Sequence, residues 1–234
     1  MKIAIMQPYF FPYIGYFQLL NAVDIFVIYD NIQYTKKGWI NRNRILVDKK
    51  VDYFTLPLKK NSDYLDIVER EISINWKKES IKSLNKIEQS YSKAPYFEET
   101  FDLIKHCFEY NEKNLFEFIL FSTTQIINYL EIKTKIIKSS EININHDLKS
   151  EVKIIEICRK LNSNNYINPI GGLELYDKNN FKKESIDLQF LKSNDIKYKQ
   201  FEIEFQQNLS IIDLMMFNSK EQIINLLNKE YKLI

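Results

Sequence analysis

Glycine and arginine are scarce in this chain: four of each stand among 234 residues, while Lys, Asn and Ile are used heavily. Glycine this rare excludes collagen-like repeats and glycine-rich linkers. Where Gly or Arg does occur, backbone need or guanidinium geometry explains it better than composition. The net charge of +2 argues against a dedicated nucleic-acid binder, which carries a strong basic excess, though a local basic groove stays open. Cysteine is nearly absent. Cys107 and Cys158 lie far apart in helical patterns, so neither a disulfide framework nor a Cys metal cluster is expected, and both read as buried thiols. No apolar run reaches the ~18 residues of a membrane span. The opening "MKIAIMQP" is too short for the apolar region of a signal peptide, so the expected location is cytoplasmic. Of two histidines, His106 adjoins Cys107 in a helical stretch, where successive side chains diverge by about 100°, and His146 precedes Asp147 as a capping or surface residue. No H-E-x-x-H, G-x-S-x-G or Walker signature occurs.

The remaining composition, 45% hydrophobic, 27% charged and 14% aromatic, is that of an ordinary globular protein. Lys2 to Met6 reads as a buried strand, Phe17 to Val23 as a helix and Ile25 to Asp30 as a second apolar strand, a βαβ unit of the kind found in parallel sheets. "RILVDKKVDYFTLPL" predicts a hairpin. From about residue 73 to 132 the pattern turns helical in three stretches, the second beginning near Pro95. Strand and helix patterns then alternate: "TKIIKSS", "HDLKSEVKIIEICRKLN", "NYINP", a helix-like "LELYDKNNF", the strands "IDLQFLKS" and "IKYKQFEIEF", and two closing helices capped by Ser210 and Ser219. The predicted fold class is α/β, a mainly parallel Rossmann-like sheet of nucleotidylyltransferase-like type with a central helical insertion. Its parts are residues 1–72 (βαβ and hairpin), 73–132 (helical insertion) and 133–234 (the rest of the α/β unit).

In parallel sheets ligands bind beyond the carboxyl ends of the strands, and the chemistry-bearing stretches fall there. "MQPYFFPYIGY" sets Gln7, Tyr9, Tyr13, Gly15 and Tyr16 between the first strand and a helix start, which favours an anion such as phosphate. An aromatic loop sealing the sheet edge is the competing reading. The stretch is similar to the strand–loop–helix of adenylyl- and cytidylyltransferases, but tyrosines 13 and 16 stand where their H-x-G-H histidines would be. "DNIQYTKKGWINRNR" packs Asp30, Gln33, Lys37, Trp39, Asn41, Arg42, Asn43 and Arg44 together. If extended, it turns Asn41 and Asn43 to one side and Arg42 and Arg44 to the other. The arginines suit bidentate phosphate recognition and Trp39 offers a flat face to a base or sugar. A solvated charged hairpin is the alternative. "NPIGGLELYD" repeats the strand–glycine–helix arrangement with Gly171, Gly172, Glu174 and Tyr176, the glycines read as positions of positive φ or close ligand approach, or as a tight turn. Asp213 is the single acid in "LSIIDLMMFNS", suited to proton transfer or to a structural polar contact.

Together "QPYFFPYIGYF", the D-x-x-Q-Y-x-K-x-x-W-x-N-R-N-R-I run, "NPIGGLELYD" and "LSIIDLMMFNS" resemble the WbqC-like protein family, over nearly the whole chain. The resemblance implies O-antigen and surface-polysaccharide biosynthesis, and a transfer of glycine or another amino acid to the amino group of a nucleotide-linked 4-amino-4,6-dideoxy sugar. On that reading Arg42, Arg44, Lys37 and the Gly15 helix start clamp a pyrophosphate, Trp39 and the tyrosines hold base or sugar, and Asp30 or Asp213 takes the proton. Carboxylate activation would come from ATP or from a preactivated acyl donor, an aminoacyl-tRNA among the candidates. Two other readings stay open: a nucleotidylyltransferase-like enzyme activating a small acid or sugar phosphate, and a nucleotide-sugar-binding pathway protein without chemistry. No metal site, DNA partner or oligomeric state is implied.

Overall fold

The computed structural model describes residues 1–234. Strands β1 (Lys2–Met6), β2 (Ile25–Ile28), β5 (Lys135–Lys138), β6 (Asn165–Pro169), β7 (Asp187–Ser193) and β8 (Tyr231–Leu233) form one sheet in the order β5-β2-β1-β6-β7-β8. All pairs are parallel except β7 with β8. Numbered within the sheet alone, the strands run 3-2-1-4-5-6, the doubly wound Rossmann order. The fold is therefore α/β with a mainly parallel, Rossmann-like sheet. Its topological switch lies between β1 and β6, whose carboxyl ends open the crevice where such sheets hold ligands.

Alternation along the strands sorts the two faces. Ala4, Phe26, Ile28, Ile167 and Leu191 enter the larger apolar cluster; Ile3, Ile5, Val27, Tyr166 and Phe190 enter the smaller one. Helix α5 (Ser150–Lys160) and the short α6 (Lys178–Lys183) cover the smaller cluster through Ile154, Ile157, Cys158 and Phe181. The other face receives α1 (Ile14–Asn21), α7 (Ile211–Phe217), α8 (Lys220–Lys229) and the hairpin β3 (Arg42–Val47)–β4 (Lys50–Thr55). Asp48 and Lys49 turn that hairpin with φ of 48° and 63°, the paired left-handed geometry that matches the twist of the strands. The helical stretch contains α2 (Trp76–Tyr91), α3 (Phe97–Phe108) and α4 (Leu115–Tyr129). Its Tyr91, Phe108 and Phe118 lie in the same 43-residue cluster as Ala4 and Phe26, so these helices share a core with the sheet. Both cysteines are free and buried, and burial pushes each thiol up to about 12.

Three expectations need correction. "IKYKQFEIEF" alternates like a strand, but residues 194–209 form an irregular segment, and the place beside β7 is taken by β8. Gln200 closes this segment on itself, giving Nε2–H to the Gln206 carbonyl and accepting the Gln206 N–H. Helix α6 begins only after Asp177, whose side chain caps Asn179 N–H, so "LELY" precedes the helix instead of forming it. No glycine has positive φ. Gly172 is required by contact, since a Cβ there would stand 1.8 Å from Asn168 Nδ2, while Gly171 faces open space.

Asp213 is fully buried on α7. Its oxygens accept the hydroxyls of Tyr91 (2.7 Å) and Tyr198 (2.6 Å) and the amide of Gln200 (2.8 Å). The Tyr91 hydroxyl also accepts Leu46 N–H at 2.8 Å, extending the chain into β3. Burial raises the Asp213 carboxyl above its usual 3.8, and its three donors offset part of that rise. A carboxyl raised by folding favours the native state most in acid and loses that contribution as pH climbs through the folded value. The stability of the wild type relative to Asp213→Asn should thus fall as pH rises above about 4, read from urea unfolding. Tyr91→Phe strands the Leu46 N–H and removes one carboxylate donor, and should cost about 1–3 kcal/mol in the same measurement.

Candidate functional site

Beyond β1 the chain enters residues 7–13 through backbone that must be held in place. Phe11 has φ of 44°, a left-handed conformation uncommon for a bulky residue. Phe10 and Phe11 plug into an aromatic knot, Phe10 at 5.1 Å from Phe54 and 6.3 Å from Phe118, Phe11 at 5.7 Å from Phe108. Their carbonyls are tied from outside the loop. Asn43 Nδ2 donates to Phe10 O (3.1 Å) and Phe11 O (2.9 Å), Ser210 Oγ donates to Phe11 O (2.7 Å), and Ile211 N–H donates to Pro12 O (2.9 Å). Thus three of the sequence stretches predicted to carry the site meet at one loop.

Alternation in β3 does turn Asn43 inward, and the two asparagines serve the frame. Asn41 accepts the Tyr34 hydroxyl and donates to Leu56 O. The two arginines differ. Arg42 donates from Nε to Gly38 O and from Nη2 to Lys37 O, lies 4.9 Å over the Tyr53 ring, and so fastens the turn in which Lys37 has φ of 63°. Arg44 gives Nη2 to Asn208 O at 3.0 Å and lies 5.3 Å over Trp39, while its buried Nε has no partner. A desolvated guanidinium donor without an acceptor is costly unless something else supplies one.

Arg44 lines a cavity of about 310 Å³ with Tyr9, Pro12, Tyr13, Trp39 and Asn208. A second, of about 260 Å³, lies between the start of α1 (Tyr13, Ile14, Gly15), Pro169 and Ile170 after β6, and residues 191–196. Tyr13 and Asn208 border both. Together they form a crevice on the larger-cluster side of the β1/β6 switch. Helix α1 opens without a side-chain cap or an acidic residue in its first turn, which leaves its N-terminal dipole available to an anion. Gly15 is small because the Tyr13 ring folds over it: a Cβ would come 2.4 Å from that ring. Behind lie Gln7, donating to the Tyr9 hydroxyl at 2.8 Å, and Tyr16, whose buried hydroxyl has no partner. Burial raises the Tyr9, Tyr13 and Tyr16 phenols, so they act here as neutral hydroxyls.

Other predicted residues lie apart from this crevice. Gln33 is exposed and donates to Asp63 O, and Lys37, Gly171 and Glu174 are exposed. Tyr176 packs at 6.1 Å from Tyr166, on the smaller-cluster side. Asp30 is buried at the end of β2, with Oδ1 accepting Ser139 Oγ (2.7 Å) and Ser140 N–H (2.9 Å) and Oδ2 accepting Ser140 Oγ (2.5 Å). Like Asp213 it has protein donors on both oxygens. Asn208, which borders both cavities and is among the lining residues not expected from the sequence, has φ of 57° just before the α7 cap, a conformation asparagine tolerates better than most residues. A much larger groove of about 980 Å³ runs along the helical stretch past Leu58, Trp76 and Tyr110, and none of the predicted residues line it.

The family model of the WbqC-like proteins matches residues 7–225, from the loop after β1 into α8. The chain belongs to the WbqC-like protein family. That membership points to a role connected with polysaccharide biosynthesis. An uncharacterized protein of Mycobacterium tuberculosis is 29% identical over 218 residues, 92% of each chain. No solved structure matches. No helix is long and apolar enough to cross a membrane.

If Asn43 holds the loop, Asn43→Ala should cost about 2–3 kcal/mol, because three hydrogen bonds are lost and the Phe10 carbonyl is stranded, while Phe11 O keeps its bond from Ser210. Arg42→Ala, at a half-exposed position, should cost under about 1.5 kcal/mol. Urea midpoints of the two variants measure the difference.

Proposed function

We propose that the chain forms an amide on the amino group of a nucleotide-linked 4-amino-4,6-dideoxy sugar, as an N-acyl or aminoacyl (glycyl-type) transferase of O-antigen synthesis. The observation that carries this reading is the unpartnered Nε of Arg44 beside the uncapped start of α1, at the switch point of a Rossmann-ordered sheet. A pyrophosphate placed between them would receive guanidinium and backbone N–H donors together. Trp39, Tyr9 and Tyr13 provide apolar faces and hydroxyls for the base or sugar.

The chemistry needs an activated acyl donor: an acyl phosphate made with ATP, or a preformed ester or thioester such as an aminoacyl-tRNA. The sugar nitrogen attacks the acyl carbon, a C–N bond forms, and the bond to the departing group breaks with its electron pair. The nitrogen's extra proton then goes to that departing group, since Asp30 and Asp213 each have protein donors on both oxygens. That same saturation favours the second reading, a nucleotide-sugar-binding pathway protein without chemistry of its own.

Titration calorimetry with a nucleotide-linked 4-amino sugar tests the crevice. Arg44→Gln should weaken binding roughly ten- to a hundred-fold, whereas Arg42→Gln should change it by less than about three-fold. Incubation with the same sugar, glycine and ATP, read by intact mass, separates the chemistries. A gain of one glycyl unit supports amide formation, pyrophosphate release without a modified sugar supports a nucleotidylyltransferase-like enzyme, and binding alone supports the second reading.

A further inference from the structure

The groove of about 980 Å³ along the helical stretch shares no lining residue with the Arg44 crevice. Leu58, Ile72, Trp76, Phe108 and Tyr110 give it an apolar lining. At its rim Ile74, just ahead of α2, is 97% exposed, and Ile81 on α2 is 55% exposed. An isoleucine held wholly in water beside an apolar groove gains nothing from its own chain. Such a patch marks a surface that another molecule covers.

Charge is laid out across the groove in a definite order. Leu58 bridges Ile72 and Glu71 bridges Asn114, with Lys59 N–H on Glu71 O at 2.9 Å and Ile72 N–H on Lys113 O at 2.7 Å. Residues 71–72 therefore run between 58–59 and 113–114. Lys59 and Lys60 lie on one side of them, and Glu109 and Glu112, with Lys113, on the other. Lys59 is held by Glu71 at 3.0 Å, and Glu112 accepts the N–H groups of Lys113 and Asn114. Lys60 and Glu109 are exposed, and neither side chain has a partner within the chain.

We infer that this groove receives a second copy of the chain, in a two-fold dimer where Ile74 of each copy enters the groove of the other. Four lysines and three glutamates line the groove. That balance is too even for a polyanion or an acidic peptide, whereas a second copy brings the same charges in reverse order. Turned about a two-fold axis, Lys60 of one copy faces Glu109 of the partner, and the mirrored pair closes the other side. Knob and groove lie on one patch, so the contact closes as a dimer and does not propagate. The groove has 18 lining residues, close to the ~20–30 a side of a standard stable interface, so the expected dissociation constant is on the order of micromolar. None of the crevice residues takes part, so the inference does not depend on the proposed reaction.

Sedimentation velocity of the full chain, from about 1 to about 100 µM, reads the association directly. The mass should rise from monomer toward dimer across that range, and Ile74→Glu should hold it at monomer. Lys60→Glu and Glu109→Lys should each weaken the dimer about ten-fold or more, because each sets like charges against one another. An equal mixture of those two variants should associate as the wild type does, since the reversed charges then meet opposite ones. All three side chains are exposed, so each variant should keep the urea midpoint of the wild type. A wild type that stays monomeric throughout overturns the inference, as does an I74E variant that dimerises like the wild type, or a mixture that fails to associate. A monomer that instead retains single-stranded RNA, and loses it with Lys60→Glu, assigns the groove to a polyanion and overturns the dimer.

Discussion

A carboxylate taken out of water destabilises a fold by several kcal/mol unless its oxygens are met, and Asp213 is met from three directions. Tyr91 reaches it from α2, Tyr198 and Gln200 from the segment after β7, and through Tyr91 the amide of Leu46 in β3 joins the chain. One turn earlier on α7, Ser210 ties the Phe11 carbonyl, and its own N–H binds Arg44 O. The first turn of α7 therefore fastens the hairpin, the helical stretch and the loop after β1 to one point. Loss of any strand of this network leaves a buried polar group unpaired, which is why the loop after β1 can sit here in a strained conformation.

This dependence explains why the loop after β1 holds both phenylalanines and tyrosines. Phe10 and Phe11 point into the aromatic knot and fix the loop by burial, each worth roughly 1.5–3 kcal/mol. Tyr9 and Tyr13, beside them in sequence, are left to line the crevice. A similar division runs through β3, where the buried Asn43 holds the loop with its amide and Arg44 keeps an unpartnered Nε beside the cavity that both border. In both stretches a residue fixed by burial adjoins one that lines the cavity, so the position of the second is set by the burial of the first.

The strands of the parallel sheet, the hairpin, the three central helices and both serine caps were legible, because each rests on local periodicity or capping chemistry. The segment "IKYKQFEIEF" was not, since its alternation is shared by a strand and by a loop whose Tyr198 and Gln200 turn inward to one distant carboxylate. The meeting of the N-terminal loop with β3 could be placed by strand order, as both follow parallel strands. What separates Arg42 from Arg44 could not, because it depends on the left-handed turn at Lys37 that only Arg42 reaches. Asp30 and Asp213 stand out in the sequence as lone acids in apolar surroundings, and their donors could not be read there, since they come from residues more than a hundred positions away in the first case and from two separate elements in the second. Lys153 left a fainter sign: it stands four residues before Ile157 on the apolar stripe of α5, where a lysine must either reach out or be answered inside.

A Rossmann-ordered sheet offers two faces above one row of strand ends, and in this chain they are furnished differently. The face with α1 and the hairpin presents an unanswered arginine nitrogen and an uncapped helix start, both suited to a multiply charged anion. The face with α5 presents a buried amine, Lys153, whose charge Asp66, Asp30 and Asp147 already counter. Neighbouring strands lie about 4.8 Å apart within the sheet, but its two faces are separated by the sheet itself, so the two sets of groups look away from one another. The crevice at the switch point, where doubly wound folds hold ligands, therefore takes its charged and dipolar donors from the face with α1 and the hairpin.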